Sequence, residues 1–160
     1  MSDIKINILV INPGSTSTKI AIFEDENEVL KVGLRHSEAE LAEYSNVIEQ
    51  LPLRREKILK FLKENKVSLN SISAVVGRGG LLSPLPGGTY SINYKMLEDL
   101  RECLNGEHAS NLGALLSYEI AKQLNVPSFI VDPPSVDEMM PIAKISGLPE
   151  IERSSKFHAL

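Results

Sequence analysis

The chain begins with two short apolar runs on either side of a turn that is rich in hydroxyl groups. Residues 6–11 and 19–23 have the composition of strands, and residues 12–18 between them read Asn-Pro-Gly-Ser-Thr-Ser-Thr. Residues 29–34 form a third strand-like run. Because strands joined by short connections tend to pair with each other, this order predicts an antiparallel meander of three strands.

After the meander, the hydrophobic spacing changes to that of helices. Ser37 and Glu40 have the spacing of a capping box and predict a helix over residues 38–51. A second, amphipathic helix is predicted to start after Pro52 and to end near Asn65, with its lysines on a solvated face. The cations of this second helix are Arg54, Arg55, Lys57, Lys60 and Lys63.

The rest of the chain alternates strands with helices. A buried strand over residues 72–76 leads into a loop, residues 77–88, that is dense in glycine and proline. Helices are predicted after Asn93 and from about Ser110, followed by a strand over residues 126–131. Strands that are joined through helices usually add in parallel. The sequence therefore predicts an α/β fold with a mixed sheet and helices on its faces.

Composition excludes several classes of protein. Of the 160 residues, 42% are hydrophobic and 24% are charged, which is typical of a globular domain rather than a disordered or membrane protein. The net charge of −4 argues against a nucleic-acid surface. The apolar run at residues 6–11 is too short for a signal or membrane segment, so a cytoplasmic location without a membrane partner is expected. Cys103 is the single cysteine, which excludes an internal disulfide.

The turn at residues 12–19 is the first candidate for chemistry. Gly14 permits a tight turn, and the hydroxyl and backbone N–H groups around it can surround phosphate oxygens or a metal. The spacing is not that of a Walker phosphate loop, because the turn returns into a strand instead of opening a helix. An ordinary hairpin rich in serine and threonine is the alternative.

Arg78 and three other polar residues are the remaining candidates. Arg78 lies at the end of a predicted buried strand, where its guanidinium can hold a carboxylate or phosphate; the alternative is a structural arginine that bonds loop carbonyls. Asp132 follows the strand at residues 126–131, and an Asp before two prolines is also a common turn former. His108 and His158 each have a structural alternative, and no cluster has the spacing of a zinc site.

Five segments of the chain, taken together and in order, resemble the butyrate kinase branch of the acetate and butyrate kinase family. They are residues 12–19, 76–82, 86–90, 107–114 and 157–160. The fold of this family belongs with sugar kinases, heat-shock ATPases and actin. The resemblance thus implies a ribonuclease-H-like sheet, in which an antiparallel meander is followed by parallel strands.

The resemblance also implies roles for individual residues. Arg78 would hold the acyl carboxylate and steady the phosphoryl group, and Asp132 would orient the carboxylate or a metal-bound water. His158 would contact the phosphoryl group in the transition state, and His108 would lie nearer the substrate. Leu82, beside Arg78, would contact the alkyl chain. ATP phosphates would be bound by Asn12, Gly14, Ser15, Thr16, Ser17 and Lys19, with Asn12 also organising Mg²⁺.

The implied activity is phosphoryl transfer from ATP to butyrate, which gives ADP and butanoyl phosphate. A branched-chain or other short-chain acyl kinase is the first alternative, and a non-catalytic binding or complementing half-enzyme is the second. A heat-shock-like ATPase fragment does not account for the segments around Arg78 and His108. Family members continue through a second domain and are expected to form homo-oligomers. Residues 1–144 would form the first, actin-like domain, and residues 145–160 would begin the second.

Overall fold

The computed structural model describes residues 5–155, which contain a six-stranded mixed sheet in the order β3-β2-β1-β4-β6-β5. The strands are β1 (Asn7–Pro13), β2 (Ser17–Glu24), β3 (Asn27–Arg35), β4 (Ile72–Gly77), β5 (Thr89–Ser91) and β6 (Ser128–Val131). The helices are α1 (Glu38–Leu41), α2 (Leu51–Glu64), α3 (Tyr94–Arg101), α4 (Asn111–Leu124) and α5 (Pro141–Lys144).

The predicted meander and the parallel strands after it are confirmed. Strand β2 pairs with β1 and with β3 in antiparallel registers, and Asn12 faces Lys19 across the first turn. Strand β4 runs parallel to β1, and β6 runs parallel to β4. The helix predicted after Asn93 is α3, whose first turn is capped because the Asn93 side chain accepts the N–H of Met96 at 2.9 Å.

One predicted helix is wrong, and one strand was not predicted. The helix expected over residues 38–51 stops at Leu41, and only a 3₁₀ turn precedes α2. The Asn46 side chain donates to Glu49 Oε1 at 3.0 Å and accepts the backbone N–H of Glu49 at 3.1 Å, and such local bonds compete with a continuous helix. Strand β5, which directly follows the glycine-rich loop, was not predicted; its three residues pair antiparallel with β6 and add a strand at the edge of the sheet.

Helix α4 builds most of the core against the sheet. Its residues 111–117 are all buried, and the helix packs on β1, β4 and β6 while α2 and α3 lie beside it. Leu9, Ile11 and Val75 of the sheet are fully buried beneath these helices. Burial of each such side chain stabilises the fold by roughly 1.5–3 kcal/mol. The sheet therefore gives the loops at its edge a rigid base.

Candidate active site

The candidate site lies at the carboxyl ends of the three parallel strands, which meet at the same end of the sheet. Strand β1 ends at Pro13, β4 ends at Gly77 and β6 ends at Val131. The segments that leave these strands are the hydroxyl-rich turn, the glycine-rich loop and the Asp132 turn. Ligands of open α/β sheets bind outside the carboxyl ends of the strands. The fold thus brings the sequence candidates of all three segments to one edge.

Glycines let the start of α4 approach the loop that carries Arg78. A Cβ built on Gly77 would lie 2.4 Å from the carbonyl oxygen of Gly113, and one built on Gly80 would lie 2.5 Å from the Cα of Asn111. Asn111, which is fully buried, also accepts the N–H of Leu81 at 2.9 Å. Asn111 was not among the predicted site residues, and it fastens the loop to the helix.

Arg78 has a half-buried side chain that is not committed to another group. Its backbone N–H donates to the carbonyl oxygen of Ile11 at 3.3 Å, which holds it beside the end of β1. Its Nε is buried without a hydrogen-bond partner, and within residues 5–155 the guanidinium has no ion pair. Leaving such a donor unpaired is costly, so the site favours an anion here.

Asp132 forms hydrogen bonds that hold the end of the glycine-rich loop in place. One of its carboxylate oxygens accepts the N–H of Gly88 at 2.7 Å, and its own N–H donates to Gly88 O at 3.1 Å. Glu138 accepts the neighbouring N–H of Gly87 at 2.8 Å. Asp132 also has a positive φ of 40°, which is uncommon outside glycine. The structure supports its turn-forming role, and its catalytic role stays a prediction.

His108 is oriented by the residues that lead into α4. The backbone N–H of Ser110 donates to His108 Nδ1 at 3.1 Å, and the Ser110 hydroxyl lies 2.8 Å from the same nitrogen. Because Nδ1 accepts, a neutral His108 ring carries its proton on Nε2. His158, the other predicted histidine, lies outside the described residues.

Leu82, which was predicted to contact the alkyl chain of the acid, is almost fully buried. It packs in a small buried cluster with Leu100, Ala114 and Ile130. It also borders a cavity of about 190 Å³ that Leu104 helps to line. Its predicted contact with the alkyl chain stays a prediction, and its packing role is established by these contacts.

The hydroxyl-rich turn is closed by its own backbone. The predicted phosphate-binding residues of this turn are Asn12, Gly14, Ser15, Thr16, Ser17 and Lys19. The N–H of Gly14 donates to Ser17 O at 2.7 Å, which makes the turn tight. Asn12 is half-buried and Lys19 is exposed, and neither side chain bonds another described residue. The turn therefore presents a free amide and a free cation side by side.

Arg54 of α2 is a residue of this region that sequence reasoning missed. Its side chain is 1% exposed, and it donates to the carbonyl oxygens of Gly14 at 2.7 Å, Ser15 at 3.0 Å and Ser17 at 3.3 Å. Gln50 Oε1 accepts two more of its bonds, at 2.8 and 3.2 Å. Burial lowers the pKa of Arg54 to about 10, so the group is still a cation at neutral pH.

A signal for Arg54 was present in the helical spacing. Arg54, Ile58 and Leu62 follow each other at intervals of four, and all three are buried. Residues at this spacing lie on one face of a helix. An arginine on the apolar stripe of an amphipathic helix indicates a buried partner.

His36 lies under the same turn, against Thr18. The Thr18 hydroxyl is 2.9 Å from His36 Nε2, and His36 is 3% exposed. Burial, together with the nearby cations Arg54 and Lys57, lowers the pKa of His36 from 6.5 to about 4, against an opposing effect of Glu40. His36 is therefore neutral in the folded protein at neutral pH.

The lowered pKa of His36 makes the fold sensitive to mild acid. The unfolded chain takes up the proton first, so the stabilisation is complete above pH 6.5 and is lost as the pH falls towards 4. Between about pH 7.5 and about pH 5, we expect wild type to lose about 2 kcal/mol more free energy of unfolding than His36→Gln. Urea unfolding at both pH values measures this difference. Equal losses in the two proteins would contradict it.

The described residues exclude two further features. Residues 5–155 contain no helix that is long and apolar enough to cross a membrane. No group of three or more acidic, histidine or cysteine side chains within that part of the chain is placed to bind a metal ion.

Comparison with known proteins agrees with this arrangement. No protein-family model matches the chain. The chain is 55% identical over 156 residues to butyrate kinase 2 of Clostridium acetobutylicum; the match covers 98% of this chain and 44% of that protein. The acetate kinase of Porphyromonas gingivalis matches 96% of this chain and 45% of its own, with a TM-score of 0.59 and 19% identity. A propionate kinase of Francisella tularensis matches 90% and 41%, with a TM-score of 0.50 and 20% identity.

The sheet order and the loops at its edge define an α/β domain of the acetate kinase type. The 55% identity to a curated butyrate kinase is evidence of relationship in addition to the shared fold. Over almost its whole length the chain matches a curated member of the acetate and butyrate kinase family, the family that its sequence segments indicated. It spans less than half the length of the curated relative that it matches.

Proposed function

We propose that the chain supplies the amino-terminal part of a butyrate kinase, which transfers the γ-phosphoryl group of ATP to butyrate. The observation that carries this proposal is the unpartnered guanidinium of Arg78, which lies at the edge of the sheet where the hydroxyl-rich turn also lies. A cation beside a phosphate-binding turn suits a reaction between two anions. The identity to butyrate kinase 2 supports butyrate as the acid.

The reaction needs alignment and charge shielding more than it needs a strong base. An oxygen of the butyrate carboxylate attacks the γ-phosphorus in line, and the bond between that phosphorus and the bridging oxygen of ADP breaks. The carboxylate is already a competent nucleophile, so no proton has to be removed. The protein holds the two reactants and neutralises their charge.

Arg78 is assigned the acyl carboxylate and the moving phosphoryl group. Its planar guanidinium can donate two parallel hydrogen bonds, and its half-buried position strengthens them. His108 keeps the place near the substrate that the family resemblance implies, as a prediction, and the N–H of Ser110 fixes the orientation of its ring. Asp132 and His158 keep the roles that the family resemblance implies, as predictions.

The hydroxyl-rich turn is assigned the ATP phosphates. Asn12 and Lys19 face each other across it, and both side chains are uncommitted to other described residues. Mg²⁺ bound with the nucleotide would shield the phosphate charge, and Asn12 together with phosphate oxygens would have to hold it, since residues 5–155 offer no acidic cluster. The donor set fits a metal carried in by the nucleotide.

Two alternatives remain within reach of experiment. A branched-chain or other short-chain acyl kinase shares every group named above, and competition among butyrate, isobutyrate and acetate separates it from a butyrate kinase. A non-catalytic or complementing half-enzyme is the second alternative. The proposal further includes a second domain that begins near residue 145, a cytoplasmic location and assembly into homo-oligomers.

Trapping of acyl phosphate with hydroxylamine tests the proposed function. The chain is mixed with ATP, Mg²⁺ and butyrate, alone and together with the remaining part of the Clostridium acetobutylicum relative. We expect hydroxamate in at least one of the two mixtures, and none when butyrate is omitted. Product only in the second mixture would make the chain one half of a two-part enzyme. No product in either mixture, from folded protein, would refute the kinase function and favour a binding domain.

A further inference from the structure

The backbone of the hydroxyl-rich turn has its carbonyl groups bound and two of its amides free. All four carbonyls of residues 14–17 accept hydrogen bonds inside the protein: Arg54 binds three, and the N–H of His36 donates to Thr16 O at 2.9 Å. Within the described part of the chain, the N–H groups of Ser15 and Thr16 have no acceptor. Because the carbonyl groups are bound on the inner side of the turn, these two amides can bind an anion on its outer side.

The fixed position of Arg54 depends on α2 and on Gln50. Helix α2 buries Arg54 together with Ile58, and Gln50 Oε1 accepts from its Nε and its Nη2. Thr18 Oγ1 accepts a further bond at 3.2 Å. No carboxylate of residues 5–155 pairs with this guanidinium. Its charge is therefore stabilised by neutral groups only and keeps a net positive field under the turn.

We propose that Arg54 is a positioning residue for the ATP phosphates. It pulls the carbonyls of residues 14, 15 and 17 inward, so that the N–H groups of Ser15 and Thr16 point to the site, and it places a buried cation behind them. This inference rests on the proposed function for the identity of the ligand. The geometry of the turn itself does not depend on that function.

Arg55 offers a matched control on the same helix. Arg55 is partly exposed, and among the described residues its ion-pair partner is Glu119, at 2.9 Å and away from the turn. Arg54→Met and Arg55→Met each replace one cation of α2 with an unbranched apolar side chain. A difference between these two variants therefore reports the contacts of Arg54 with the turn and not the loss of a charge from the helix.

Amide hydrogen exchange measures the turn directly and needs no ligand. The useful probes are Gly14, whose N–H bonds Ser17 O, and His36, whose N–H bonds Thr16 O. In Arg54→Met we expect both amides to exchange about ten-fold faster or more, relative to the amides of α4 in the same protein. In Arg55→Met both should exchange at the wild-type rate. Equal acceleration in the turn and in α4 would make Arg54 a purely structural residue and overturn the proposal.

Kinetics in the mixture that forms acyl phosphate supply a second readout. Since Arg54 contacts the hydroxyl-rich turn and not the loop of Arg78, we expect Arg54→Met to raise the KM for Mg·ATP by about ten-fold or more. The KM for butyrate should change less than about two-fold. A rise in both constants by the same factor would overturn the proposal.

Gln50→Met keeps the experiment decisive when Arg54→Met does not fold. The variant retains the buried cation but removes the acceptor of two of its bonds. We expect faster exchange at Gly14 and His36, smaller than in Arg54→Met. A folded Gln50→Met with wild-type exchange at both amides would contradict the proposal. If wild type forms no acyl phosphate, only the proposed function is refuted. The role of Arg54 in holding the turn is still tested by hydrogen exchange, which needs no ligand.

Discussion

Arg78→Ala is expected to lower the initial rate of acyl phosphate formation by about a thousand-fold or more, in whichever mixture is active. The guanidinium is a half-buried cation without a partner among the described residues, and its loss removes both the hydrogen bonds to the carboxylate and the charge that offsets the phosphoryl group. The rate is measured as hydroxamate formed at saturating Mg·ATP and butyrate. Because the side chain makes no hydrogen bond within the described residues, the fold should tolerate the change.

Two comparisons separate this catalytic role from a structural one. Arg78→Lys keeps the charge but offers one head group instead of a planar fork, so we expect it to recover only part of the activity. Arg55→Ala removes a partly exposed arginine and should leave the rate within about two-fold of wild type. A rate for Arg78→Ala within about ten-fold of wild type would favour a structural arginine that serves the glycine-rich loop.

The large features of the fold could be predicted because each has a local cause. Strand-like runs around short turns dictated the meander, and the apolar row of α4 dictated the helix that covers the sheet. The prediction of a helix over residues 38–51 was wrong because Asn46 and Glu49 form local hydrogen bonds with each other that compete with a continuous helix. Strand β5 was missed because three residues carry too little pattern, and only its pairing with β6 makes it a strand.

The candidate site was predictable in part. Parallel strands bring their ends to one edge, so the turn, Arg78 and Asp132 could be placed together from topology. The supporting residues could not be found this way, because their partners are distant in sequence: Arg54 bonds a turn about forty positions away, and Asn111 bonds Leu81 across thirty. Such long-range partners are fixed by tertiary packing and leave little trace in a local pattern.

Gly77→Ala is expected to cost about 3 kcal/mol of the free energy of unfolding. The new Cβ would lie 2.4 Å from the carbonyl oxygen of Gly113 and 2.7 Å from Ser117 Oγ, and the first of these belongs to the backbone of α4. A backbone atom inside a close-packed core cannot move away without displacing the helix. The start of α4 would have to shift from β4, which also moves the neighbouring Arg78. Urea unfolding measures the loss.

Gly33→Ala is the matched control for this steric effect. Gly33 lies in β3, it is exposed, and a Cβ built on it meets no atom within 4 Å. The same added methyl group should leave stability unchanged or raise it by about 0.5 kcal/mol, because alanine lowers the entropy of the unfolded chain. Equal free energies of unfolding for the two variants would mean that α4 can retreat without cost. In that case the close packing of α4 against the loop of Arg78 would not determine the position of the guanidinium.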